Sequence, residues 1–177
     1  EPQEHEGEII KNVREIGFHV QEGFFDGAWC QTIRSEIDRL ILEYADQICT
    51  DDTSSDHRIF GSDRVSDAIK TFLKHDHVTK ITNSYMKEAM EASFTLAARL
   101  EYKKGNLGSG GGWHRDTAST KQIKAITYLS DVTTKNGPFE YIKGSHQSVD
   151  VIKKQFKYNF DYNQNRFENQ QIESLIQ

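Results

Sequence analysis

The sequence predicts an α+β fold in which helices come first and strands follow. In the first half, apolar residues recur every three or four positions, the period of an amphipathic helix. From about residue 92 onward, they alternate or form short β-branched and aromatic stretches typical of strands. Helices and strands that are separated along the chain indicate an α+β protein, because an α/β protein alternates them.

Four helices are expected in the first half of the chain. Residues 8–16 have helical spacing, and Asp26 is a good N-cap for a second helix. The apolar stripe of this second helix consists of Cys30, Ile33, Ile37, Leu40, Ile41 and Tyr44. Two shorter helices begin near Ser66 and near Asp76. Between the second and third helices, residues 50–63 are polar and predict a loop.

Short strands are expected at four places. Residues 18–20 form one candidate, immediately before the second helix. Residues 94–102, 123–132 and 139–142 are the others, and the second of these alternates between apolar and polar residues as a half-buried strand does. Asn-Gly at positions 136–137 predicts a tight turn before the last strand.

Length and composition indicate a single domain. The chain has 177 residues, of which 36% are hydrophobic and 28% charged, enough for one sizeable core. We expect one domain over residues 1–177: a mainly helical part at 8–91, strands at 92–146, and a polar, partly helical part at 147–177. No internal repeat divides it.

Charge and cysteine content restrict the partners and the compartment. A net charge of −5 without a basic stripe argues against nucleic acid as the main partner. No apolar run is long enough to span a membrane, and the acidic, polar N-terminus does not resemble a signal peptide. Cys30 and Cys49 are expected to be reduced thiols in preference to a disulfide. We therefore expect a cytoplasmic protein that binds neither nucleic acid nor a membrane; the oligomeric state cannot be predicted.

His114 and Asp116 are the residues most informative about function. They follow a glycine-rich run at 108–112. In an extended segment, a His-x-Asp pair places an imidazole and a carboxylate on one face. These are two of the three ligands in the 2-His-1-carboxylate site that binds non-heme Fe(II). From the residues alone, an ordinary surface strand explains the pair equally well.

Three segments together resemble the phytanoyl-CoA dioxygenase family of Fe(II)/2-oxoglutarate-dependent oxygenases. Residues 17–25 resemble the opening of the family, where a short strand leads into a long helix. Trp-His-Arg-Asp at 113–116 resembles its first metal motif. Asn-Gly-Pro-Phe-Glu-Tyr-Ile-Lys-Gly-Ser-His at 136–146 resembles its Gly-Ser-His segment, with Lys143 where proline is usual. The resemblance covers most of residues 9–148.

The resemblance implies a fold and an activity. The fold is a double-stranded β-helix (a jelly-roll, cupin-like core) with the N-terminal helices packed outside. The activity is that of a dioxygenase, most simply a hydroxylase, which uses Fe(II), O₂ and 2-oxoglutarate on a small-molecule substrate and releases succinate. His114 and Asp116 would bind the iron. Thr127 and Arg99 would line the 2-oxoglutarate site, although a structural ion pair explains Arg99 equally well.

The third metal ligand is not expected in this chain. His146 is an obvious candidate, but in the family the histidine of the Gly-Ser-His segment is not a ligand. The distal histidine lies later in the family, with an arginine beyond it that binds 2-oxoglutarate. No histidine follows His146 here, and Arg166 is the only later arginine. We therefore expect the last jelly-roll strands to be missing and iron to bind weakly or not at all. The alternative function is a non-catalytic jelly-roll binding module or an inactive fragment with a partial metal site.

Overall fold

A computed structural model of the protein describes residues 6–91, 94–108, 110–116, 121–161 and 163–176. Three features discussed above fall at least partly outside these ranges. They are the acidic N-terminus at 1–5, the change to strand character near residue 92, and Ser109 within the glycine-rich run. The structure therefore does not test these features fully.

The four predicted N-terminal helices are confirmed. They are α1 (Glu6–Glu15), α2 (Gly27–Glu43), α3 (Asp67–Leu73) and α4 (Asp76–Met86). Asp26 caps α2, because its carboxylate accepts the backbone N–H of Trp29 at 2.7 Å. Ser66 caps α3 in the same way, accepting the N–H of Ile69 at 3.2 Å.

The chain forms a three-stranded antiparallel sheet from two strands that follow α2 and one that follows α4. Its strands are β1 (Cys49–Thr50), β2 (Asp56–Phe60) and β3 (Leu96–Leu100), in the order β1-β2-β3. The prediction of a loop over 50–63 was therefore wrong. The segment contains β2, which is mostly polar at its start and contributes only Ile59 to the hydrophobic core. β3 confirms the centre of the strand predicted at 94–102.

The hydrophobic core lies between α2 and the sheet. Its buried residues come from α2, α3, β2 and β3: Ile33, Ile37, Leu40, Ile41, Ile59, Ile69 and Ala97. Leu40, at its centre, is 0% exposed. Removing such aliphatic side chains from water stabilises the fold by roughly 1.5–3 kcal/mol each. Leu129, far along the chain, also packs against this core and brings its segment to it.

The other predicted strands do not form. Residues 18–20, 123–132 and 139–142 lie outside every paired strand of the described part of the chain. A strand needs a partner for its backbone groups, and alternation alone supplies none. Side chains bind some of these backbone groups instead of a second strand. For example, the carbonyl of Leu129 accepts a hydrogen bond from Arg34 at 3.0 Å. The predictions of these three strands were wrong, whereas the mixed helix-and-sheet class is confirmed.

The C-terminal part is partly helical, as predicted. Helices α5 (Ser148–Tyr158) and α6 (Asn169–Ile176) form there, and Ile172 of α6 is buried. Between them, residues 165–167 run back to the metal motif. Among the described residues, no helix is long and apolar enough to cross a membrane.

Candidate metal centre

The backbone of His114 is held by an antiparallel pairing between residues 113–115 and 165–167. His114 lies opposite Arg166 in an isolated β-bridge. Two backbone hydrogen bonds of 2.9 Å and 3.0 Å flank this bridge, one on each side. The extended conformation that places alternate side chains on one face is thus fixed by a segment far away in sequence.

The glycine-rich run closes over the imidazole of His114. At Gly110, where φ is +90°, a Cβ atom would lie 2.5 Å from Cε1 of His114. Only glycine fits there, because φ is in the left-handed region and the imidazole occupies the space of a side chain. Arg166 donates to the carbonyls of Gly110 and, at 3.2 Å, Gly111. The same arginine therefore fixes the loop above the histidine.

A backbone carbonyl determines which nitrogen of His114 is free. Nδ1 lies 2.8 Å from the carbonyl oxygen of Gly112. A carbonyl only accepts hydrogen bonds, so Nδ1 carries the proton and donates, and Nε2 keeps its lone pair. Metal-binding histidines are usually oriented in this way, with the distal nitrogen facing the metal. His114 is thus prepared to bind a metal through Nε2.

The carboxylate of Asp116 lies beside that free nitrogen. Its Oδ1 is 3.7 Å from Nε2 of His114, and the two side chains are 31% and 37% exposed. Two metal–ligand bonds of about 2.1 Å at a right angle place their donor atoms about 3 Å apart. A small side-chain rotation is enough to bring both atoms onto one ion. The pair fits one edge of a facial triad.

The second oxygen of Asp116 is engaged by two other side chains. The ammonium of Lys124 and the amide of Gln122, the latter at 3.1 Å, both donate to Oδ2. The hydrogen bond from Lys124 is the main reason that the pKa of Asp116 is lowered from its usual value. The group is therefore a carboxylate at neutral pH, which is the form that binds a metal.

A third ligand is not brought to this pair within the described ranges. In these ranges, no three His, Cys, Asp or Glu side chains converge closely enough to hold a metal ion. His146, the obvious candidate in the sequence, caps α1: its Nε2 is 3.0 Å from the carbonyl of Arg14. Nε2 must donate in that contact, so it has no lone pair for a metal.

Arg99 takes part in the ion-pair network that the sequence left as an alternative explanation. Its guanidinium contacts Asp38 of α2 at 3.0 Å and Glu101 at 2.9 Å. These hydrogen bonds and charges raise its pKa, with Asp38 the largest contributor. Arg99 thus joins the sheet to α2, and its role toward 2-oxoglutarate stays a prediction.

Thr127 lies on the irregular segment that follows the ligand pair. Thr127 is half-buried, whereas its neighbour Tyr128 is 48% exposed. Because the predicted strand does not form here, this difference in burial does not test the alternation of the two side chains. Leu129 anchors this segment on the core, and Lys124 joins it to Asp116. The prediction that Thr127 contacts 2-oxoglutarate remains a prediction.

An open cleft of about 410 Å³ lies beside the glycine-rich run. Its lining includes the turn at Asp51, the ion pair of Asp56 and Arg58, and the clamp of Arg166 on Gly110. His114 and Asp116 are not among its lining residues, so the cleft adjoins the glycine-rich run and not the ligand pair itself.

The roles of Lys124, Gln122 and Arg166 in this region were not predicted. The structure shows that Lys124 and Gln122 contact Asp116, whereas Arg166 contacts the loop above His114. Polar residues at these positions would suit any exposed segment, so no sequence pattern indicated these contacts.

Comparison with known proteins supports one family. The family model described as phytanoyl-CoA dioxygenase (PhyH) matches residues 13–175, which is nearly the whole chain. No curated protein and no solved structure matches the chain significantly. The matched range includes the metal motif, the Gly-Ser-His segment and residues 165–167.

Proposed function

The chain belongs to the phytanoyl-CoA dioxygenase family, and on this premise we propose that it is an Fe(II)/2-oxoglutarate-dependent dioxygenase that hydroxylates a small molecule. One observation supports the metal part most directly. The Nδ1–H group of His114 donates to the carbonyl of Gly112, and Nε2 therefore lies beside the carboxylate of Asp116. An imidazole nitrogen and a carboxylate oxygen are ligands that non-heme Fe(II) takes.

Each part of the site has a separate task in this proposal. His114 and Asp116 would hold the iron together with a third ligand. The bound iron would support decarboxylation of 2-oxoglutarate to succinate, coupled through O₂ to hydroxylation of a substrate C–H bond. The carbonyl of Gly112 orients the imidazole, and residues 165–167 fix its backbone. The protein thus holds the ligand geometry before the metal arrives.

The finer assignments are also proposals. We propose that the strands of the described sheet belong to a cupin-like, double-stranded β-helix, which the antiparallel pairing of β2 with β3 supports. Thr127 is the better candidate for a 2-oxoglutarate contact, because it is half-buried near the ligand pair in sequence. Arg99 is weaker, since it would have to leave Asp38 and Glu101. A cytoplasmic location remains a proposal based on composition.

The test is succinate release from 2-oxoglutarate in the presence of Fe(II) and O₂. We expect His114→Ala and Asp116→Ala to reduce it to background, because each change removes a metal ligand. His146→Ala is the matched control, since it removes a histidine that caps α1 and leaves both ligands intact. Succinate release by His114→Ala at the rate of the unchanged protein would contradict the proposal.

A non-catalytic binding module is the second candidate function. It is favoured because the described residues bring no third His, Cys, Asp or Glu to the ligand pair. This candidate predicts a folded protein that forms no succinate above background at any concentration of added metal. It also predicts that His114→Ala leaves binding of a small-molecule ligand unchanged.

A further inference from the structure

Lys124 already occupies the carboxylate that the proposed metal centre needs. Its ammonium and the amide of Gln122 both donate to Oδ2 of Asp116, the amide at 3.1 Å. We propose that Lys124 is an internal counter-ion which a divalent metal must displace from Asp116, and that this competition lowers the metal affinity of the site. The inference rests on the proposed function, because it takes His114 and Asp116 as metal ligands.

The two oxygens of Asp116 face different partners. Oδ1 lies toward Nε2 of His114 at 3.7 Å, whereas Oδ2 carries Lys124 and Gln122. A divalent ion held between Nε2 and Oδ1 would be separated from the ammonium by little more than the carboxylate. Repulsion between like charges grows as their distance falls, so the metal and the ammonium compete for Asp116.

Lys124 is able to leave when a metal binds. Its side chain is 57% exposed, and its flexible four-carbon stem lets the ammonium move into water. The pair is screened by solvent, so its competition with a metal is moderate. Lys124 can therefore be displaced, and its contact with Asp116 weakens metal binding.

Titration with Mn(II), followed by the electron paramagnetic resonance signal of the free ion, measures this exchange. We expect Lys124→Met to tighten Mn(II) binding by about three- to tenfold, because the competing ammonium is gone. Lys135→Met is the matched control: it removes the same charge from an exposed lysine whose side chain does not contact Asp116. Gln122→Ala removes a neutral hydrogen-bond donor from the same oxygen, so we expect a smaller gain in Mn(II) affinity than in Lys124→Met.

A second readout follows Lys124 itself in the unchanged protein. Metal binding should free its amine, so acetylation of Lys124 by an amine-reactive reagent should rise when Mn(II) is added. Lys135 serves as the internal reference in the same mass-spectrometric experiment. An equal rise at both lysines contradicts release from Asp116.

The outcomes separate this inference from the proposed function. If His114→Ala binds Mn(II) as tightly as the unchanged protein, the assignment of the ligands is wrong. If binding depends on His114 but Lys124→Met has the affinity of the unchanged protein, only the exchange is wrong. An equal gain in Lys135→Met also overturns the exchange, since a general charge effect then explains it. Absence of Mn(II) binding in every variant overturns both.

Discussion

His114 and Arg166 face each other across an antiparallel bridge, and the guanidinium of Arg166 also holds the loop that closes over the imidazole. The side chain of Arg166 therefore holds the covering loop of the proposed ligand, whereas its neighbours Asn165 and Phe167 make the backbone hydrogen bonds to residues 115 and 113. Arg166 is the only arginine after the Gly-Ser-His segment, and its guanidinium is bound to the carbonyls of Gly110 and Gly111. In this structure it holds the loop above His114, the proposed metal ligand.

Arg166→Ala should weaken metal binding and lower stability. The change removes hydrogen bonds to two carbonyls, which contribute about 0.5–1.5 kcal/mol each. We expect a several-fold loss of Mn(II) affinity because the loop above His114 is no longer held. Metal titration and urea unfolding measure the two effects, with Arg39→Ala, on the exposed side of α2, as the control. Unchanged Mn(II) affinity in Arg166→Ala would show that the clamp does not position His114.

Gly110→Ala should displace the imidazole of His114. A Cβ atom there would lie 2.5 Å from Cε1, so the ring or the loop has to move. Gly105→Ala is a close control: φ is +87° at Gly105 and +90° at Gly110, but a Cβ at Gly105 meets nothing within 4 Å. Both variants carry similar backbone strain, of roughly 1–2 kcal/mol. We expect only Gly110→Ala to weaken Mn(II) binding, by about tenfold, and equal losses would disprove the steric explanation.

His146→Ala should reduce stability without changing metal affinity. The imidazole donates to the carbonyl of Arg14 near the end of α1, and the loss of this hydrogen bond costs about 1 kcal/mol. Near that contact, the N–H of Gly144 donates to the carbonyl of Ile16 at 2.9 Å and keeps the segment docked. Thermal unfolding and Mn(II) titration provide the two measurements. If Mn(II) affinity falls as far as in His114→Ala, His146 is a ligand after all.

The turn between β1 and β2 should become less stable in acid. The carboxylate of Asp51 accepts a hydrogen bond from the hydroxyl of Thr53. It also accepts the backbone N–H of Ser55 at 2.6 Å and that of Asp56 at 2.8 Å. These contacts, with the Thr53 hydroxyl first, hold the pKa of Asp51 well below its usual range. Because the folded-state pKa is depressed, the ionised group stabilises the fold above its unfolded-state pKa of about 3.9. This contribution is lost as the pH falls through the lower folded-state value.

Asp51→Asn tests this pH dependence. We expect it to lower the urea midpoint at pH 7, and we expect the difference from the unchanged protein to shrink below about pH 4. Asp52→Asn removes the same charge from the adjacent, exposed residue and serves as the control. A difference that stays constant down to pH 2 would mean that the hydrogen bonds of Asp51 do not depend on its charge.

Features encoded within a few residues of sequence were predicted correctly. Asp26 and the apolar stripe of α2 determine a helix through local capping and periodicity, and both are present. β2 was missed because three of its five residues are polar, Asp56, His57 and Arg58, and because it pairs with β3, a segment far away in sequence. Residues 123–132 show the converse. They alternate like a strand, but no strand among the described residues pairs with them.

The same difference between local and long-range features applies to the candidate site. His114 and Asp116 lie two positions apart in a recognisable motif, so the sequence alone could propose them, and their role as metal ligands stays a prediction. The clamp of Arg166 and the ion pair of Lys124 depend on where other segments fold back, and no spacing rule encodes that. These long-range contacts of His114 and Asp116 became visible only in the structure.

The pairing of residues 113–115 with 165–167 has a consequence for the order of folding. Contacts between residues far apart in sequence require closure of a long loop, so they form later than local helices. During synthesis, the two ligands leave the ribosome before the segment that fixes them has been made. Local opening of the 165–167 segment would also release His114 while the core around Leu40 stays folded. Hydrogen exchange should therefore be faster at the backbone amides of this pairing than in α2.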